Sequence, residues 1–147
     1  WKKKRFGVEW QPGETLSCAI GQSYVLASTI QLATAYAAIA NGGKIYRPYV
    51  VKDVYDTNGE LVKTFTPELL SEIQMKNPKT LKFVREGLFQ VVNNPKGTAF
   101  YRRGQGILMA GKTGTSQVKG ASADKVHAKC ENMDYESRHH GLFVGFA

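Results

Sequence analysis

Two cysteines in 147 residues are too few for a disulfide framework. Cys18 and Cys130 also lack C-x-x-C spacing, so they pair only if the fold brings them together. Cys130 with His127, His139 and His140 is the one grouping of metal-type ligands. It sits in a polar stretch without the fixed spacings of a zinc site, so no metal is expected. No apolar run approaches the roughly 20 residues that cross a bilayer, so the stretch holds no spanning helix. Acidic residues are scarce, 12 against 20 Lys and Arg, which leaves a net charge of +8. The basic residues are scattered and only Lys2-Lys3-Lys4-Arg5 is dense. Aromatics are not interleaved with them as a stacking platform requires. Nucleic acid is thus excluded as a partner, and the surface suits an anionic setting such as a cell envelope.

What is present reads as a packed chain. A hydrophobic content of 42% with 22% charged residues, and no repeat or low-complexity tract, argues against disorder. The length fits one domain or part of one. Because the sequence opens on Trp1 and closes inside the apolar run "GLFVGFA", it is read as a segment of a longer protein.

"QPGETLSCAIGQSYVLAS" is rich in small residues and is read as loop. Ser28 followed by Gln31 makes a capping box for a helix over 29–41. Its apolar face is Leu32, Ala33, Tyr36, Ala37, Ile39 and Ala40, and Asn41-Gly42-Gly43 stops it. Two β-prone runs then flank Asn58-Gly59, a tight-hairpin signal. Asn77 as N-cap with Pro78 at the first position starts a second helix over 78–93. It carries Leu81, Val84, Leu88, Val91 and Val92 at helical spacing. The stretch from Lys119 to His139 is expected to be an irregular loop, and "GLFVGFA" a buried strand.

Between these lies "GILMAGKTGTSQV", which admits two readings. Gly106, Gly111, Lys112 and Thr113 satisfy G-x-x-x-x-G-K-[ST], the phosphate loop, and Lys112-Thr113-Gly114 is the K-T-G triplet of serine acyl-transferases. A phosphate loop needs an exposed turn between strand and helix. Here the variable positions Ile107–Ala110 are an apolar run expected to be strand, "TGTSQVKG" is a poor helix start, and no acid ends a later strand to hold Mg²⁺. As a strand, the same letters place Thr113 and Thr115 on one face and Lys112 and Gly114 on the other. Two hydroxyls roughly 7 Å apart can then grip a carboxylate. Gly114 lets a substrate backbone lie close, Lys112 supplies a positive charge, and the Thr115 N–H can face an oxyanion.

The rest of the chain decides between them. "AIGQSYVLASTIQLATAYAAIANGGKIYRPYVV" resembles the segment upstream of the K-T-G strand in penicillin-binding transpeptidases. The residues that match are Ile20-Gly21-Gln22, Gln31, Ala33, Ala40-Asn41-Gly42-Gly43 and Arg47-Pro48. The stretch Asn94-Pro95-Lys96-Gly97-Thr98-Ala99 and the run "HHGLFVGFA" are also similar to that family. "WQPGETLS" and "GKTGTSQV" most resemble its class B, elongation-type penicillin-binding protein 2 subfamily. Ala19 and Ser23 depart from the family, standing where glycines are usual.

The resemblance implies an α+β fold, part of a penicillin-recognising serine transpeptidase (β-lactamase-like) domain with an antiparallel sheet flanked by helices. Residues 1–147 would be its C-terminal portion. It implies a peptidoglycan D,D-transpeptidase that cross-links stem peptides ending in D-Ala–D-Ala through a serine acyl-enzyme and is trapped by β-lactams. A β-lactamase, or an inactive scaffold or sensor, is the alternative. Lys112, Thr113, Gly114 and Thr115 would bind substrate, with Lys112 and the Thr115 N–H acting in catalysis and no cofactor or metal. The nucleophilic Ser (S-x-x-K) and the S-x-N motif lie upstream in this family. The strings Ser116–Lys119 and Ser122–Lys125 follow the K-T-G strand and are coincidences. By resemblance, the parent is anchored in the inner membrane with its catalytic domain outside the cytoplasm, and its partners are a glycan polymerase and elongation-complex proteins.

Overall fold

The computed structural model describes residues 1–104, 106–116, 118 and 130–147. Four α-helices and six strands are defined among them. In chain order they are α1 (Lys2–Phe6), α2 (Pro12–Ala19), α3 (Thr29–Ala40), β1 (Lys44–Tyr46), β2 (Asp53–Tyr55), β3 (Leu61–Thr64), β4 (Leu69–Glu72), α4 (Thr80–Asn93), β5 (Ala110–Ser116) and β6 (His140–Phe146). The strands form three two-stranded sheets, β1–β4, β2–β3 and β5–β6. The class is therefore α+β.

Two compact units are distinguished. The first comprises Trp1–Ala27 with Thr115–Leu142, and the second Ser28–Gly114 with Phe143–Ala147. In the first unit the segment read as loop is the helix α2. Pro12 stands at its first turn, where no N–H partner is needed, and Gln11 and Glu14 form a reciprocal capping box. The Glu14 carboxylate accepts from the Gln11 N–H at 2.6 Å and from the buried Lys2 ammonium at 2.8 Å. These two bonds, the backbone one foremost, hold its carboxyl below the usual carboxylate range. Lys2 also donates to the Glu9 carbonyl at 2.7 Å, so this buried cation is paired with a carboxylate and a carbonyl. Tyr24 touches Trp1, Phe6 and Trp10, with ring centroids 5.5, 5.9 and 6.1 Å away. Cys18 is a free thiol.

In the second unit α3 begins as its sequence predicts. The Ser28 Oγ accepts from the Gln31 N–H at 3.4 Å, and the Gln31 side chain accepts from the Ser28 N–H at 2.8 Å. Ser28→Ala removes half of this box and is expected to cost about 1 kcal/mol, read as a lower denaturant midpoint at unchanged m-value. An unchanged midpoint would show that tertiary packing alone holds the helix end. Gly42 and Gly43 leave the helix at φ 90 and 108. The Asn41 side chain accepts from the Lys44 N–H and donates to the Lys44 carbonyl, both at 2.9 Å, which turns the chain directly into β1.

β1 and β4 pair antiparallel, Lys44 opposite Glu72, and a two-pronged Arg47–Glu68 contact at 2.5 and 3.0 Å closes their far end. The hairpin β2–β3 forms, but its loop is Asp56–Glu60, longer than a two-residue turn. Gly59 takes φ 83, its N–H bonds the Asp56 carbonyl at 3.2 Å, and the Asp56 N–H bonds the Glu60 carbonyl at 2.9 Å. This is a type I turn closed by a left-handed glycine.

The second long helix starts two residues later than its sequence indicates. Asn77 accepts from the Lys79 N–H at 2.9 Å, and Thr80 N–H bonds the Asn77 carbonyl at 3.0 Å. Asn77 and Pro78 thus build an Asx turn that leads into α4. Its Leu81, Leu88 and Val92 are buried with Ala38 of α3, Ala99 and Ala110. Val84 stays 40% exposed. Arg85 donates to the Ala40 carbonyl at 3.2 Å, linking α4 to the end of α3. The helices pack on each other and α3 on β1.

Candidate active site

Lys112, Thr113, Gly114 and Thr115 are consecutive residues of β5. The strand reading therefore holds and the phosphate-loop reading fails, because Lys112 lies within a strand and not at a turn before a helix. The apolar run upstream behaves otherwise than expected. Of Ile107–Ala110 only Ala110 joins the strand, and Ile107 and Leu108 are 58% and 75% exposed. β5 pairs with β6, the start of one against the end of the other, as an antiparallel pair requires. β6 is not wholly buried. Leu142, Val144 and Phe146 are half-buried while Gly141, Phe143 and Gly145 are exposed, the alternation of a strand covered on one face.

The two strands meet unusually closely at glycine. A Cβ on Gly111 would lie 2.6 Å from the Phe143 Cζ and 2.8 Å from the Val144 carbonyl oxygen. One on Gly145 would lie 2.7 Å from the Ala110 carbonyl oxygen and 3.0 Å from the Phe143 Cε1. The Phe143 ring thus lies across two positions that have no side chain, and the first glycine of G-K-T-G is there for packing.

Lys112, Thr113 and Thr115 each have an identified hydrogen-bond partner. In the second unit the exposed Lys112 ammonium donates to the Thr113 carbonyl at 2.9 Å. An ammonium has three N–H donors, so it retains two for an anion. The Thr113 hydroxyl shares a hydrogen bond of 3.0 Å with the Thr98 hydroxyl. Asn93, in the last turn of α4, donates to the Met109 carbonyl at 2.8 Å and fixes the chain just before β5. In the first unit the Gln22 side-chain amide donates to the Thr115 carbonyl at 3.3 Å. Gln22 follows Gly21 at φ 79 and precedes Ser23 at φ 63. Position 23, where the resembled family has glycine, thus keeps a glycine's conformation with a serine in it.

The contacts of Thr98 and Gln22 with β5, and of Asn93 with the residue before it, are not read from sequence. Gln22 and Thr98 stand in stretches that resemble the family, but only the fold brings them to the strand. Ser116 ends β5, whereas Lys119 and Ser122–Lys125 lie outside the described residues, as do His127 and most of the 119–139 stretch. That stretch closes with short 3₁₀ turns at Cys130–Asn132 and Tyr135–Ser137. Among the described residues no group of three or more His, Cys, Asp or Glu side chains is placed to hold a metal.

Residues 3–147 match the family profile described as penicillin binding protein transpeptidase domain. The chain is 29% identical over 155 residues to the peptidoglycan D,D-transpeptidase MrdA of Haemophilus influenzae, covering all of this chain and 22% of that protein. It is 32% identical over 147 residues to MrdA of Acinetobacter baumannii, again over the whole chain and 21% of the relative. Among solved structures, Pseudomonas aeruginosa PBP2 in complex with WCK 5153 covers the whole chain with 28% of its own, at 36% identity and a TM-score of 0.69. The complex between PBP2 and MreC from Helicobacter pylori likewise covers all of it with 23% of that chain, at 28% identity and a TM-score of 0.69. The chain therefore spans about a fifth of the length of the curated relatives it matches.

Proposed function

Because the chain belongs to the penicillin-binding protein transpeptidase family, we propose that it is the C-terminal portion of a D,D-transpeptidase domain and supplies one wall of its active site. The observation that carries this reading is the placement of Lys112-Thr113-Gly114-Thr115 in an extended, partly exposed strand. Supporting it, large apolar side chains such as Leu26 and Val50, 94% and 100% exposed, offer surface for the rest of a domain to cover.

The reaction is acyl transfer in two steps. A serine outside this chain attacks the D-Ala–D-Ala amide carbonyl of a stem peptide. The tetrahedral oxyanion collapses, the C–N bond breaks, and the terminal D-Ala leaves as the protonated amine. A second stem-peptide amine then attacks the ester, forming the cross-linking amide and returning the proton to the serine. Thr113 and Thr115 hydroxyls bind the substrate carboxylate, the Thr115 N–H faces the oxyanion, and Lys112 stabilises negative charge beside them. A β-lactam carries a similar carboxylate and acylates the same serine.

The relatives are named for this reaction, and one structural neighbour was solved in complex with WCK 5153 and another with MreC. An elongation-complex partner of that kind, a glycan polymerase and an inner-membrane anchor outside this stretch complete the proposal. No described helix is long and apolar enough to cross a membrane.

Fluorescent penicillin followed by a denaturing gel tests it. The longer protein is expected to take covalent label and the 147-residue chain none, since its S-x-x-K strings follow the K-T-G strand. Label on the short chain would place a nucleophile among its own serines. An unlabelled longer protein would make the domain a scaffold.

A further inference from the structure

We propose that Thr98 is a positioning residue that sets the polarity of the Thr113 hydroxyl, holding its proton toward the incoming carboxylate. The inference rests on the transpeptidase reading of β5 and goes beyond it by assigning a role to a residue outside the strand.

A threonine hydroxyl has one proton to donate and two lone pairs to accept with, whereas a carboxylate only accepts. The 3.0 Å bond between the Thr98 and Thr113 hydroxyls can run either way. If Thr113 donates to Thr98, its only proton is spent and it turns a lone pair toward the anion, which is repulsive. If Thr98 donates, the Thr113 proton is free and the chain runs Thr98 O–H to Thr113 O–H to carboxylate. Each bond in such a chain polarises the next, a strengthening of about 10–30% per bond.

For this purpose the first hydroxyl must not wander, and its backbone is held on both sides. The Gly97 N–H bonds the Asn94 carbonyl at 2.7 Å, and the Ala99 N–H bonds the Val91 carbonyl at 3.1 Å. Ala99 is buried at 5% exposure. The β-branched threonine between them has few χ1 choices. The strand side is equally fixed, by the Asn93 bond to the Met109 carbonyl. The end of α4 and the Ala110–Gly114 part of β5 therefore form one frame carrying two facing hydroxyls, within the second unit. The terminal Lys112 ammonium is on the Thr113 carbonyl, so it does not compete for the hydroxyl.

The test compares, in the longer protein, second-order acylation by a penicillin and by its methyl ester, which lacks the anion. Thr98→Val keeps the branched shape and removes the donor. It is expected to slow the penicillin by up to about fourfold, since the second hydroxyl adds only about 10–30% to a direct bond to a charge that is itself worth roughly ten- to a hundredfold, and to leave the ester rate unchanged. Thr98→Ser restores the donor and the penicillin rate, and Thr98→Ala repeats the valine pattern if valine disturbs the fold. Equal slowing of both compounds would make Thr98 a structural tie and overturn the proposal, as would unchanged rates. A protein that is not acylated at all, or whose Lys112→Ala variant reacts normally, overturns the transpeptidase reading itself, a result separable from any Thr98 outcome.

Discussion

Lys112→Ala in the longer protein is expected to slow acylation by a penicillin on the order of 10²-fold or more, with little change in thermal unfolding. The side chain is exposed on β5, fills no part of the core, and makes its one described hydrogen bond with the carbonyl of the next residue in its own strand. Removing it opens no cavity and leaves no buried group unpaired, so the fold has little reason to respond. The chemistry has every reason to, because a positioned charge beside a developing oxyanion and a carboxylate is among the larger single terms in such sites. Thr115→Val makes the comparison quantitative. It keeps the backbone N–H and the carbonyl that Gln22 holds, deletes one hydroxyl, and is expected to cost about 1.5–3 kcal/mol, roughly ten- to a hundredfold. A folded Lys112→Ala protein with the wild-type rate would reduce the triplet to a piece of strand.

The largest effect on stability is expected at Gly97. A Cβ there would sit 2.6 Å from the Gln90 carbonyl oxygen and closer still to that of Val91. Both are backbone atoms at the end of α4, so no side chain can swing aside. Relief requires moving the 97–99 loop off the helix, breaking the Ala99–Val91 bond and exposing buried Ala99. Overpacking of this kind costs about 1–3 kcal/mol or more, which corresponds to roughly 5–10 °C in the melting of a domain of ordinary size. Gly87→Ala is the matched control. A Cβ there meets nothing within 4 Å, and alanine in mid-helix is better than glycine by about 1 kcal/mol. The two glycine-to-alanine changes, ten positions apart, should therefore move the melting temperature in opposite directions. Shifts of the same sign would refute the close approach at Gly97.

What could be read in the letters was local. Ser28 with Gln31, Asn41-Gly42-Gly43 and Asn58-Gly59 act through neighbours three or four residues away; the first two did what their chemistry predicts, and the third made a hairpin with a longer loop than expected. The misreadings are of two physical kinds. Some signals serve two structures. An asparagine oxygen that accepts from the N–H two residues on makes an Asx turn as readily as a helix cap, which is why α4 starts at Thr80. Small residues disguised α2, although Pro12 and the Gln11–Glu14 pair were there to mark its start. Other features depend on a partner that sequence does not display. Ile107 and Leu108 are β-prone yet precede the strand, which starts at Ala110, while β6 is covered on only one face. The K-T-G strand itself was legible from its motif and its neighbours. The Thr98, Asn93 and Gln22 contacts that hold it were not, because those residues are 15, 16 and 93 positions from their partners.

Ser23 bears on how this branch of the family can change. A non-glycine residue at φ 63 carries about 1 kcal/mol or more of backbone strain, a sizeable part of the few kcal/mol by which domains of this size are stable. The strain lies beside Gln22 but on a residue whose own hydroxyl makes no described contact with β5. Glycine at this position would relax the turn without touching the strand. A lineage that acquired it would gain a margin against which otherwise damaging substitutions are tolerated, so variants at position 23 are expected to act as permissive background changes, silent alone and enabling in combination.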